Sequence, residues 1–203
     1  AAGNVSNEAT VTVRIQKAAD AAAYADLDSD YDQFEAMWLR ASGLFSGREL
    51  GGQACFEPNA TLSRGEFLVM AMQVAGLAPD AVETVSGFSD EGDAPAWMRP
   101  YLSAALRCGV VSGIPASDGL LFAPNEPVTC AQAAVMLQNI LQLPQPETAT
   151  VFAPETVLPT WAASAVSTLA AADLQLDCAD YDRSLTRREA ACLLYQAHLL
   201  HEA

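Results

Sequence analysis

The chain has 203 residues, and its 25 acidic side chains outnumber the ten basic ones to give a net charge of −15. Such an acidic chain is a poor candidate for non-specific binding to nucleic acid, whose phosphates would repel it. Hydrophobic residues make up 51% of the sequence, enough for a substantial core, but no apolar run approaches the ~20 residues of a membrane-spanning helix.

The first predicted element is a short strand near the N-terminus. Residues 11–15, VTVRI, alternate apolar and polar side chains with the period of two that is typical of a strand. A lone strand is not stable by itself, so we expect it to close a preceding domain and to be followed by a linker, both within residues 1–19. The sequence contains no secretory signal, and an exported protein of this kind is therefore expected to be longer.

An aromatic residue opens each of three similar units. The openings are Tyr24, Phe88 and Phe152, which stand 64 residues apart in both intervals. Nine residues after the second and third openings come Trp97 and Trp161, each at the start of a predicted helix, whereas the first unit has no tryptophan at that distance. Self-similarity at a fixed period is the signature of a repeat architecture.

The first two units share two further motifs. Residues 43–47 and 109–113 both begin and end with glycine, and residues 56–59 match residues 122–125 in the pattern Phe-x-Pro-Asn. The third unit contains neither motif. The predicted units span residues 20–82, 83–148 and 149–203.

Each unit ends in a long predicted helix that starts with a capping box, a Ser or Thr followed three residues later by Glu or Gln. The three pairs are Ser63 with Glu66, Thr129 with Gln132, and Thr186 with Glu189. The runs that follow are apolar on nearly all sides, and such helices need neighbours on several sides. We therefore expect the three to pack together at the centre, with the tryptophan-started helices outside.

This order of features resembles the S-layer homology (SLH) family, whose modules hold exported proteins on the bacterial cell wall. The family pattern is an aromatic-x-Asp opening, a Trp-started helix, Gly-[Ile/Val]-[Ile/Val]-x-Gly, Phe-x-Pro and a Thr-Arg-Ala-Glu helix start. The second unit matches all but the last element, the first all but the tryptophan, and the third mainly the tryptophan and the helix start. Over roughly residues 20–203, the resemblance implies a mainly α fold in which three SLH repeats form a pseudo-three-fold helical bundle with inter-repeat grooves.

The resemblance also implies a function, namely non-covalent anchoring of an exported surface protein to the bacterial cell wall. SLH modules typically bind secondary cell-wall polysaccharide, a peptidoglycan-linked glycan whose pyruvate ketal carboxylate meets the arginine of the helix start. The expected partners are this polymer and other domains of the same chain, without nucleic acid, cofactor or metal. Carried over by position, the implied ligand-binding residues are Arg64, Arg187, Asp26, Asp90, Trp97, Trp161, Gly43, Gly47, Gly109 and Gly113.

The residues themselves leave alternatives open. An arginine at a helix N-terminus is either a solvated side chain that tolerates a penalty of ~0.3–1 kcal/mol, or it converges with the helix N–H groups on an anion, best a carboxylate. The tryptophans could instead be packing residues, the opening acids could cap the following helices, and the glycines could serve left-handed turns.

Several positions depart from the family pattern. Cys130 and Gln132 stand where the second arginine and glutamate are expected, and Ala153-Pro154 replace the third opening acid. We therefore expect at most one or two working sites, assembled from neighbouring repeats. The second hypothesis is a degenerate SLH trimer that acts as a structural spacer or protein-interaction module without glycan binding. In that case Arg64 and Arg187 would lie in internal salt bridges and not in open grooves.

The sequence does not favour an enzyme or a metal site. It lacks Gly-x-Ser-x-Gly, His-Glu-x-x-His and phosphate-loop motifs, and both histidines, His198 and His201, lie near the C-terminus. The five cysteines are an odd number without a Cys-x-x-Cys pair, which argues against metal binding and allows at most two disulfides. We expect mostly free, buried thiols.

Overall fold

The computed structural model describes residues 24–27, 30–79, 85–146, 152–174, 176 and 178–202. The strand predicted at residues 11–15 lies outside this part of the chain. The described residues are mainly helical, as the sequence predicts, and none of their helices is long and apolar enough to cross a membrane. The six α-helices are α1 (Asp30–Ala41), α2 (Arg64–Val74), α3 (Arg99–Arg107), α4 (Cys130–Leu141), α5 (Ala163–Ala171) and α6 (Arg187–His201).

Two short antiparallel hairpins lie between the glycine turn and the Phe-x-Pro motif of the first two predicted units. They pair β1 (Arg48–Leu50) with β2 (Gln53–Cys55), and β3 (Ile114–Ala116) with β4 (Gly119–Leu121). The first hairpin turns at Gly51 and Gly52, whose φ angles of 60° and 80° suit a two-residue type I′ turn. Neither hairpin was predicted from the sequence, although Gly-Gly between two short strand-forming segments is a recognised hairpin signal.

All three predicted capping boxes are confirmed. At the start of α2, α4 and α6, the cap hydroxyl accepts a hydrogen bond from the third N–H, and the side chain at that third position accepts one from the N–H of the cap residue. The boxes satisfy donors that a helix start otherwise leaves open.

Backbone hydrogen bonds join the three helix starts in a closed cycle. The first N–H of each of these helices donates to a carbonyl that lies three residues before another cap. The donor and acceptor pairs are Arg64 with Glu126, Cys130 with Arg183, and Arg187 with Ala60, at 2.8, 3.0 and 2.8 Å. The second N–H of each helix donates to a carbonyl two residues further upstream in the same segment. Each predicted unit thus supplies the carbonyl acceptors for the helix start of the unit before it, and the first unit supplies those for the third.

The helices pack in the same order. The three central helices, α2, α4 and α6, contact one another, while α1 packs on α6, α3 on α2 and α5 on α4. Phe67, Leu137 and Leu194, one from each central helix, are fully buried. The contact between α1 and α6 includes Trp38, whose ring centroid lies 5.3 Å from that of Tyr195. Every outer helix therefore packs on the central helix of a predicted unit other than its own.

The capping box of α6 contains an ion pair that the other two boxes lack among the described residues. The Arg183 guanidinium donates to the Glu189 carboxylate at 3.0 Å, and the backbone N–H of Thr186 donates to the same carboxylate at 2.9 Å. Burial by itself would raise the pKa of Glu189, but the hydrogen bonds from Arg183 and Thr186 lower it to about 2. The ionised carboxylate thus stabilises the fold above its unfolded-state pKa of about 4.3, and this contribution is lost as the pH falls toward about 2.

We expect Glu189→Gln to lower the free energy of unfolding at pH 7 by about 1–2 kcal/mol, after allowance for solvent screening. Glutamine keeps the capping geometry, as Gln132 does in α4, so only the charge is lost. Urea denaturation between pH 7 and pH 2 should show that the free energy of unfolding falls less steeply with decreasing pH in the variant than in the wild type. Glu66→Gln, at the matching position of α2, is the control, and an equal effect of the two substitutions would contradict the assignment.

Candidate functional site

Three junctions between predicted units are candidates for ligand grooves. At the first junction, the start of α2 with Arg64 meets the second unit. At the second junction, the start of α4 with Cys130 meets the third unit. At the third junction, the start of α6 with Arg187 meets the first unit. At all three, the first two N–H groups of the helix are bonded to the adjoining unit and the third to the cap, so only side chains are available to an anion.

The two opening acids, Asp26 and Asp90, make matching pairs of hydrogen bonds. Each carboxylate accepts from the N–H of the phenylalanine in Phe-x-Pro and from the next N–H, at 2.7 and 2.6 Å for Asp26 and at 2.9 and 2.6 Å for Asp90. The residue after the phenylalanine, Glu57 or Ala123, is left-handed with φ of 55° or 58°. The acids therefore hold a strained turn in place. Asp90 forms no side-chain cap for the short 3₁₀ helix that follows it, so the capping interpretation is wrong at this residue.

The four predicted glycines fall into two pairs. Gly47 and Gly113 pack against the opening aromatics: a Cβ at Gly47 would lie 2.4 Å from Tyr24 and 2.6 Å from the carbonyl oxygen of Cys55. Gly43 and Gly109 also have positive φ, 71° in both, but a Cβ there would meet open space. The first pair is needed for close packing, while the second is needed only for the direction of the turn.

This difference predicts unequal costs of substitution. Gly43→Ala should lower the free energy of unfolding by about 1–2 kcal/mol, the cost of a left-handed alanine. Gly47→Ala adds overlap with a backbone oxygen that cannot easily move, and we expect about 2–5 kcal/mol. Urea denaturation of the two variants would measure both values, and equal losses would contradict this account of the turn.

Arg187 closes the third junction. Its guanidinium donates to the Glu57 carboxylate at 2.7 Å and to the carbonyl of Phe56 at 3.2 Å, and it lies 5.0 Å from the centre of the Phe45 ring. The Arg187 side chain is only 16% exposed. The interpretation of Arg187 as a solvated side chain is therefore wrong, because it forms an internal ion pair.

Arg64 occupies the matching position at the first junction but has no such partner. Its guanidinium carbon lies 4.9 Å from the centre of the Phe122 ring, and its Nε, like that of Arg187, is buried without a hydrogen-bond partner among the described residues. Burial lowers the pKa of Arg64, and the nearby Asp90 carboxylate opposes that shift. Ala123 stands where the first unit has Glu57. Arginine remains charged in proteins, and within the part of the chain that the structure describes no carboxylate forms an ion pair with this one.

The second junction has a different chemistry. Cys130 replaces the arginine and is fully buried. The nearest guanidinium belongs to Arg183, which is already paired with Glu189. Among the residues described at this junction, the arginine position thus carries no cationic side chain of the kind found at Arg64.

A cavity of about 520 Å³ lies at the first junction. The turn at residues 43–46 forms one side, the outer face of α2 forms another, and Trp97 and Tyr101 of the second unit complete it. Trp97 is 55% exposed, which disagrees with its interpretation as a packing residue. The Gln73 amide donates to the Tyr101 hydroxyl at 3.1 Å, so polar groups stand beside the indole.

Arg64 approaches the cavity through its neighbours and is not itself a lining residue. It belongs to the first turn of α2, which supplies Glu66 to the cavity wall. The next residue, Gly65, lies against the Met98 side chain, where a Cβ would come within 2.3 Å of the sulfur. Met98 follows Trp97 directly, so the start of α2 packs against the segment that carries Trp97.

The structure separates Trp161 from this cluster. Trp161 is 60% exposed in a short 3₁₀ helix before α5, and that helix packs against α4. Asp26 accepts hydrogen bonds from the turn that carries Glu57 at the third junction, and Gly47 packs against Tyr24 and Cys55. Sequence reasoning missed Tyr101 and Gln73 in the groove. Tyr101 follows Trp97 by four residues, a spacing that indicates one face of a helix.

Comparison with known proteins is consistent with this organisation. Residues 87–134 match the family model of the S-layer homology domain, a segment that lies within the predicted second unit and includes its opening, turn, hairpin and helix start. The SLH domain is generally a non-enzymatic module that anchors proteins to the cell wall. A search of curated proteins found none that matches the chain.

Proposed function

We propose that the chain anchors an exported bacterial surface protein non-covalently to the cell wall. In this proposal it binds an acidic secondary cell-wall polysaccharide in the groove at the first junction, and the carboxylate of a pyruvate ketal is the group that Arg64 recognises. The S-layer homology match supports the anchoring role. The polymer and its ketal are what the resemblance to that family implies, and the groove offers chemistry that suits them.

The unpaired guanidinium of Arg64 is the observation that carries the proposal. A planar guanidinium binds a carboxylate through two parallel hydrogen bonds, and burial strengthens such an interaction. Arg187 donates a single hydrogen bond to the Glu57 carboxylate inside the protein. Arg64 has the same position on its helix and an aromatic ring beneath it, but Ala123 leaves its partner to come from outside.

The groove at the first junction suits a sugar. An exposed indole such as Trp97 covers the apolar C–H face of a sugar ring, while the Tyr101 hydroxyl and the Gln73 amide offer hydrogen bonds to its hydroxyl groups. The cavity volume falls within the usual range of about 300–1,000 Å³ for small-ligand sites. The protein's net charge of −15 opposes a polyanion, so we assign recognition to this local positive group and not to the protein's overall field.

The proposal includes three SLH repeats in a pseudo-three-fold bundle that contains a single working site. The cycle of backbone bonds and the cyclic packing of outer on central helices support this arrangement. Glu57 forms an ion pair with the arginine of the third junction. At the second junction, Cys130 stands at the position of the arginine. These two junctions then maintain the fold while the first binds the polymer.

The test is co-sedimentation with purified peptidoglycan sacculi, with and without their attached secondary polymer. We expect binding only when the polymer is present. Arg64→Ala should weaken binding about 10- to 100-fold, which corresponds to the loss of a charged hydrogen-bonding pair. Arg187→Ala is the matched control and should affect stability more than binding. No binding by the wild type, or equal losses in the two variants, would leave the spacer hypothesis in its place.

A reciprocal pair of variants tests the same proposal without removal of an arginine. Ala123→Glu should close the first junction by pairing Arg64, because Glu57 already adopts the same left-handed conformation at the matching position. We expect this variant to lose polymer binding while its unfolding midpoint is preserved. Glu57→Gln, which releases Arg187, should leave binding at the first junction unchanged. Full binding by Ala123→Glu would contradict the role of Arg64.

A further inference from the structure

The second junction brings two cysteines together that are far apart in the sequence. Cys130 begins α4 and is fully buried, while Cys178 lies in the segment before α6 and is 6% exposed. Both cysteines contact the same residue, Arg183, and each thiol shifts the pKa of the other. The two thiols therefore lie together at the boundary between the second and third predicted units.

Arg183 holds both cysteines. Its backbone carbonyl accepts from the N–H of Cys130 at 3.0 Å, and its guanidinium donates to the sulfur of Cys178 at 3.3 Å. Arg183 is itself fixed by its ion pair with Glu189. A guanidinium beside a thiol favours the thiolate, the form that reacts with oxidants.

The two thiols are not equivalent. The hydrogen bond from Cys178 lowers the pKa of Cys130 against the effect of burial, and the charge of Arg183 adds to this lowering. Its hydrogen bond to Cys130 and its burial raise the pKa of Cys178. The charge of Arg183 acts to lower the pKa of both thiols, so a thiolate of either cysteine would have a second thiol beside it to resolve the oxidised sulfur.

The other three cysteines have different surroundings. Cys108 is exposed, and Cys55 and Cys192 are partly buried. Within the part of the chain that the structure describes, no group of three potential ligands is arranged to hold a metal ion. The pair at the second junction is thus better suited to oxidation than to metal binding.

We propose that Cys130 and Cys178 form an oxidisable pair that hydrogen peroxide converts to a disulfide between the second and third predicted units. The thiolate of one cysteine of the pair attacks one peroxide oxygen and breaks the O–O bond, so that its sulfur becomes a sulfenic acid and the hydroxide released takes up a proton to form water. The sulfur of the other cysteine then attacks the sulfenic sulfur, and a second water leaves. Two thiols and one peroxide give one disulfide and two waters.

Burial defines the class of oxidant. A peroxide is little larger than water and enters small openings in a packed structure, whereas a bulky disulfide must approach the sulfur directly, which the burial of both cysteines opposes. The disulfide would fasten the start of α4 to the segment that completes it, and it would close a long loop of chain. Such a crosslink raises the temperature of unfolding, and we expect a rise of about 10 °C for a domain of this size.

The experiment is peroxide treatment of the reduced native protein, followed by quenching, unfolding, alkylation of remaining thiols and peptide mapping by mass spectrometry. We expect the five alkylatable thiols to fall to three, with Cys130 and Cys178 in one crosslinked peptide. The rise in unfolding temperature should disappear when a dithiol reductant is added. A crosslink between other cysteines, or five thiols still free after treatment, would overturn the proposal.

Two controls separate native geometry from general reactivity. Cys178→Ser should abolish both the crosslink and the thermal shift, whereas Cys108→Ser, which alters an exposed thiol, should retain both. Treatment in urea should give mixed pairings, because the unfolded chain has no preferred partner for Cys130. The same Cys130–Cys178 yield in native and unfolded protein would show that the fold does not direct the reaction and would refute the proposal.

Discussion

The fold depends on hydrogen bonds that the start of one helix cannot make for itself. The opening N–H groups of a helix have no partners within that helix, and here the first two of each central helix donate to the carbonyls of another predicted unit. These bonds use only backbone atoms, and the same pattern therefore accommodates arginine at two helix starts and cysteine at the third. The side chain at this position is free to change its chemistry without loss of the architecture.

That freedom explains how three similar junctions come to differ. The middle residue of Phe-x-Pro lies opposite the first residue of the facing helix, and it is glutamate at the third junction and alanine at the first. Glutamate turns the arginine into an internal structural element, while alanine leaves its charge available. The difference between a closed and an open junction thus lies mainly in one residue on each side, within a turn that the opening acid holds in the same conformation.

The sequence predicts the local features well because their causes are local. The three capping boxes depend on residues three apart, and their hydroxyl and carboxylate or amide groups indicate the helix starts directly. The repeat spacing likewise identified the openings. The hairpins were not predicted, although Gly51-Gly52 marks one of them. The family pattern includes the glycines that flank the hairpins but not those within them.

The site was less predictable because its interactions join distant segments. Asp26 and Asp90 bond to backbone groups about thirty residues away, and no spacing rule indicates that a carboxylate will hold a turn so far along the chain. Arg187 pairs with Glu57 across most of the sequence. The spacer hypothesis expected an internal salt bridge for Arg187, but no spacing rule named its partner. The sequence shows that Glu57 and Ala123 differ at matching positions. The effect of this difference on the arginines follows only once the structure shows which helix start faces each turn.

The packing of α1 on α6 has a consequence for the topology of the chain. Because the first and last helices contact each other as α3 contacts α2 and α5 contacts α4, the cycle of units is closed by packing where the polypeptide itself is not continuous. Covalent connectivity and spatial order are therefore separate properties of this architecture. A circularly permuted chain, joined between α6 and α1 and opened between two other units, would retain every one of these helix contacts.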